Sequence, residues 1–140
     1  MSQYITGETV ADEIGGWARL NDALDDDGDG QVEAGLLDRL MASASGAADG
    51  FLQGRYVTPF NPVPAIVGEA ALVFTIEKIY NRRKQGPNEK NPYEERAAEM
   101  RRRLKRIADR EESLDAEQRE AFRPGAAILN ESKLNGSTLG

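Results

Sequence analysis

The run LLDRLMASASGAADGFLQGRYVTPFNPVP, residues 36–64, decides the fold. Leu37, Leu40, Met41, Ala44, Ala48, Phe51 and Leu52 recur at three-and-four spacing, the signature of a helix with one buried side. Ser43, Ser45, Gly46 and Asp49 occupy the other side. Gly54 offers a stop, and Pro59, Pro62 and Pro64 follow. Each proline removes a backbone donor and biases its predecessor toward extended geometry. The spacing therefore predicts a long helix from about Val32 to Gln53, then a proline-rich extended strut that delivers the chain to a second helix.

That second helix is read from Ala65 to Arg83, with Pro64 suited to its first turn. Ile66, Val67, Ala70, Ala71, Val73, Phe74, Ile76, Ile79 and Tyr80 leave little polar circumference, as expected of a central helix. Upstream, Thr6 suits an N-cap, and Val10, Ile14, Trp17, Leu20 and Leu24 form a stripe. Gly15-Gly16 interrupts it at roughly 1 kcal/mol per glycine in a helix interior, so two short helices are expected. Downstream, Asn91-Pro92-Tyr93-Glu94 reads as a helix start. Tyr93, Ala97, Met100, Leu104 and Ile107 make a narrow stripe on a charged surface helix that fades near Ser113. The remainder lacks periodicity and reads as a tail ordered by partners. The fold class is all-α: a small bundle of four to five helices with a proline-rich strut, a helical domain over 1–115 and an extended C-terminal tail over 116–140.

The composition removes several functions. With no cysteine and no histidine in 140 residues, thiol chemistry and the commonest general base and transition-metal ligand are absent. A formal net charge of -6 argues against general affinity for DNA or anionic membranes. MSQYITGE has neither the basic nor the apolar region of a signal peptide, and Glu69 interrupts the most apolar stretch before membrane-spanning length. A product that stays inside the cell, or is assembled there, is expected. No spacing of carboxylates and lysines sets up an acid–base pair, so no enzyme is expected.

One acidic loop resembles a calcium loop. Asp25, Asp27 and Asp29 take its first, third and fifth positions, Gln31 offers a carbonyl and Glu33 stands at the ninth. Leu36 occupies the twelfth position, where a bidentate glutamate belongs. The alternative is a solvated loop that favours the N-terminus of the next helix through its charge. The basic runs Arg82-Arg83-Lys84 and Arg101–Arg106 admit two readings: a solvated face with pairs such as Glu99–Arg103, or a surface for DNA or an acidic partner. Arg55, Tyr56 and Phe60 read either as a docking strut or as a lid over the core.

In order, Tyr4-Ile5-Thr6, the Asp25–Gly30 loop, Asp49-Gly-Phe-Leu-Gln-Gly-Arg-Tyr56, Pro59, Val63-Pro64 and an apolar helix ending in arginines resemble the Mu-type phage head-to-tail adaptor, or head completion, family. The resemblance covers roughly residues 3 to 115. It implies a structural virion protein of the neck, assembled in the host cytoplasm. There it would form a homo-oligomeric ring, usually dodecameric, between the portal and a stopper or tail-completion protein. DNA would pass through without sequence-specific binding. Partner contacts are then expected at Arg55, Tyr56, Phe60, Arg102, Arg103 and Arg106, with Ile128 and Leu129 in the tail. Removing 116–140 is expected to leave a folded protein that has lost its portal affinity. The competing readings are a calcium-responsive binding module and a small DNA-binding regulator.

Overall fold

A computed structural model of the chain describes residues 4–25, 28, 30–83 and 90–119. Five helices follow in order: α1 (Gly7–Ile14), α2 (Trp17–Leu24), α3 (Leu36–Leu52), α4 (Ala65–Arg83) and α5 (Glu94–Ala108). The described residues form an all-α bundle, as the periodicity indicated.

Thr6 caps α1 by accepting the Thr9 N–H at 3.2 Å. The expected break falls at the paired glycines, which adopt φ values of 111° and 120°. Both of their amides return to the carbonyl of Ala11, which closes α1 and re-aims the chain into α2. Side chains other than glycine rarely adopt that backbone. Trp17 departs from its expected place in the stripe. It is half exposed, with the edge of its ring laid beside Gly7 and Leu37, while Leu20 and Leu24 are buried.

The long helix begins at Leu36 rather than near Val32. Gly30 and Gly35 adopt φ values of 81° and 79°, and left-handed residues on either side of 31–34 prevent a helix from running through. The buried side of α3 comprises Leu36, Met41, Ala44, Ser45, Ala48 and Leu52, whereas Leu37, Leu40 and Phe51 are partly buried. Ser45, expected on the polar side, is fully buried because its hydroxyl accepts the Tyr4 N–H at 3.0 Å.

α4 has the expected limits and packs against all four other helices. The first part of its length contributes Val67, Ala70, Val73 and Phe74 to one apolar cluster. That cluster also takes in the end of α3, Tyr56, Phe60 and the inner side of α5. Its second part contributes Ile76 and Ile79 to another cluster, with α1, α2 and the start of α3. The hydroxyl of buried Thr75 is satisfied by the carbonyl of Ala71 at 2.7 Å. The segment from Tyr56 to Pro64 is non-helical and bends at 58–59 and 61–62, with cis peptide bonds before Pro59 and Pro62.

α5 starts at Glu94, slightly later than the Asn-Pro motif suggested, and Asn91 explains the shift. Its side chain accepts the Tyr93 N–H at 2.8 Å. Its amide nitrogen also donates to the Glu77 carbonyl at 2.7 Å and to Asn81 at 2.9 Å. The side chain is thus spent on tying the start of α5 to the end of α4. At the other end, Arg110 N–H bonds to Ile107 O and Glu111 N–H to Arg106 O, with Arg110 at φ 71°. That pairing is the Schellman termination, in which glycine usually holds the left-handed position. Arg110→Gly is therefore expected to stabilise the fold by up to about 1 kcal/mol, read as a higher urea midpoint at unchanged m-value.

Candidate functional site

The stretch from Asp49 to Tyr56, together with the prolines that follow it, carries the most specific part of the sequence signature, and Tyr4 belongs to its N-terminal entry. In the fold its polar groups tie distant segments together. The Tyr4 hydroxyl donates to the carboxylate of Asp49 and accepts the Phe60 N–H at 3.0 Å. The N-terminal segment, α3 and the proline segment therefore meet at one phenol. The rings of Tyr4 and Phe60 lie 6.2 Å apart, and those of Tyr56 and Phe60 6.0 Å apart.

Arg55 is buried where α3 ends, 5.0 Å above the Tyr56 ring. Its guanidinium donates to the carbonyls of Ile107 and Glu112, the latter at 2.8 Å, and to Ser113 Oγ at 2.9 Å. A longer contact reaches Gln118 Oε1 at 3.5 Å. A planar fork with five donors suits such a set of divergent acceptors; a lysine ammonium does not. The Tyr56 hydroxyl accepts the Leu114 N–H at 2.8 Å. Beyond α5 the chain then returns antiparallel to residues 55–57. Val57 N–H bonds to Glu117 O at 2.9 Å and Arg119 N–H to Arg55 O at 2.8 Å, around a bridge between Tyr56 and Gln118.

Of the expected partner residues, Arg55, Tyr56 and Phe60 are buried within the chain, which is the arrangement of a lid over the core and not of an exposed docking strut. Burial follows from the acceptors and apolar contacts just described. Arg102, Arg103 and Arg106 are exposed on α5. Arg103 pairs with Glu112 at 2.9 Å instead of with Glu99, because the turn after α5 brings Glu112 back beside it. Arg106 reaches the same carboxylate at 3.9 Å. Ile128 and Leu129 lie outside the described residues. So does most of the tail, but residues 117–119 already pair with their own chain, so a truncation at 116 removes contacts of the fold itself.

In the acidic loop, the Asp25 carboxylate accepts the N–H groups of Gly28 at 3.1 Å and Gly30 at 2.7 Å. Glu33 pairs with Arg39 at 2.7 Å, across the start of α3. Gln31 is exposed. Asp27 and Asp29 lie outside the described residues. Among the described residues, no group of three carboxylates converges as a metal site, and no helix is long and apolar enough to cross a membrane.

Two further clusters lie between helices and have no motif in the sequence. Glu77, buried on α4, pairs with Arg101 of α5, whose guanidinium lies 5.1 Å from the centre of the Phe74 ring. At the start of α5, Tyr93 donates to Glu13 at 2.7 Å and stacks on Tyr80 with centroids 5.9 Å apart, while Arg96 reaches Glu13 at 3.3 Å. Burial and the bond to Glu13 push the Tyr93 phenol up to about 12. A phenol that holds its proton longer in the folded state than in the unfolded one stabilises the fold below pH 10. That contribution is lost as pH rises from 10 toward 12. Stability is accordingly expected to decline over this window, and the decline should be shallower in Tyr93→Phe, measured by urea unfolding at stepped pH.

The model of a family described as Bacteriophage Mu, Gp36 matches residues 4–129. The match covers nearly the whole chain and runs past residue 115, where the resemblance read from the sequence ended. It takes in Ile128 and Leu129. No curated protein matches the chain.

Proposed function

We propose that this chain, which belongs to the bacteriophage Mu Gp36 family, serves as a structural subunit of the phage neck, in a homo-oligomeric ring joining the portal to a stopper or tail-completion protein. Family membership places it among phage proteins and supports a role in phage structure or morphogenesis. The observation that carries the finer reading is the use of Arg55. This arginine of the Asp49–Tyr56 run is sunk beneath the surface, where it clamps the end of α3 to the end of α5. A ring subunit must transmit contacts between neighbours without deforming, and a buried multidentate clamp between the end of α3 and the segment that follows α5 supplies that stiffness.

DNA would pass such a ring without sequence readout, consistent with the overall acidic charge. The acidic loop serves as a local brace without metal in this reading, since Asp25 and Glu33 are already engaged within the chain; calorimetry with calcium checks that assignment. Residues beyond 119 would become ordered against partner subunits. The decisive experiment mixes the purified chain with the portal ring from the same phage, separates by size and images the high-mass peak. An additional ring on the portal is expected. A folded chain that never co-migrates with the portal overturns the proposal.

A further inference from the structure

The charges of this chain are sorted along it. Residues 1–40 carry ten Asp or Glu against two Arg, whereas residues 101–110 carry six Arg or Lys against one Asp. The fold keeps the two sets apart. α1 and α2 pack on α3 and α4, and α1 meets α5 through Glu13, beside Tyr93 and Arg96 at the N-terminal end of α5. From Arg96 to Arg106 a helix rises about 15 Å, which carries the basic end well away from α1.

Each set also presents an outward stripe. On α1, Glu8 and Asp12 are exposed four residues apart, opposite buried Val10, Ala11 and Ile14. On α5, Arg102 and Arg106 are exposed four residues apart, opposite buried Met100, Leu104 and Ile107. Glu8, Asp12 and Arg102 have no ion-pair partner among the described residues, and Arg106 has only the 3.9 Å approach to Glu112. Trp17 is half exposed, with the edge of its ring near Gly7 on the inner side of α1.

We infer that the α1 face of one copy, carrying Glu8 and Asp12, receives the α5 face of the next copy through Arg102 and Arg106. The inference rests on the ring reading and names the two surfaces that would meet in it. Two different patches of opposite sign on one chain are what a head-to-tail contact requires. A two-fold contact at either patch would set like charge against like. The charge sorting therefore selects a second copy as the occupant, and the ring reading sets its head-to-tail register.

The test uses two full-length variants, Glu8→Lys with Asp12→Lys and Arg102→Glu with Arg106→Glu, each checked for an unchanged helical spectrum and melt. With the portal ring as template, each variant alone is expected to need at least tenfold more protein than wild type to form the added ring. An equimolar mixture, and a chain carrying all four substitutions, should recover most of that loss because every contact again joins opposite charges. Rings formed equally well by both variants would overturn the surfaces while leaving the ring reading intact. Weakened rings without recovery in the mixture would also overturn them. Failure of wild type itself to form a ring would remove the ring reading, and this inference with it.

Discussion

Replacing Arg55 with methionine is expected to remove about 3–5 kcal/mol of folding stability, a large share of the roughly 5–15 kcal/mol that a domain possesses. The side chain's volume is largely kept, so the loss comes from acceptors. The carbonyls of Ile107 and Glu112 lose a charged donor; Ile107 O keeps the Arg110 N–H, and an acceptor left without a partner costs roughly 1–3 kcal/mol. Ser113 and Gln118 lose their contacts as well. Lysine at the same position keeps the charge but cannot point at divergent acceptors at once, so Arg55→Lys should recover less than half of the loss. Urea unfolding followed by helicity measures both. A methionine variant within 1 kcal/mol of wild type would mean that the buried guanidinium is dispensable.

The second large effect is expected at Ile76, which is fully buried on α4 among residues of α1, α2 and the start of α3. Ile76→Ala should cost about 2–5 kcal/mol through lost burial and the cavity left behind. The more informative result is its shape. Trp17 is the chain's one tryptophan and stands on α2, beside this cluster, whereas helicity reports on the whole bundle. Because α4 runs unbroken through both clusters, fluorescence and circular dichroism should lose their signals together, in the variant as in the wild type. A fluorescence transition that came first would divide the molecule into two units along α4.

The elements that were legible in the sequence are those whose causes are local. The Gly15-Gly16 break, the Thr6 cap and the limits of α4 depend on residues within a few positions of one another, and each lies where the pattern placed it. The start of α3 was misplaced because the left-handed backbone of Gly35 is a conformational choice that an apolar pattern does not display. Ser45 was illegible, and Arg55 stayed open between a docking strut and a lid over the core, for a different reason. Their partners stand 41 to 63 residues away, so a serine on a helix and an arginine after it carry no local sign of burial. Trp17 erred in the opposite direction, since apolar character and spacing suggested burial that the turn at the two glycines withholds. The basic residues of α5 were recognised as exposed, but not the return of Glu112 to Arg103, which depends on the left-handed turn at Arg110.

The placement of Arg55 has a consequence for biosynthesis. The residue leaves the ribosome together with α3, yet its acceptors belong to residues 107, 112, 113 and 118. At about 5–20 residues per second, the last of these follows roughly 3–12 s later. During that interval the nascent chain holds a guanidinium whose acceptors are not yet made, and hydration keeps the junction between α3 and the proline segment open. Folding of this chain is thereby deferred until nearly all of its described length has been translated. Prematurely terminated chains, lacking the closing segment, would then remain unfolded and open to proteases.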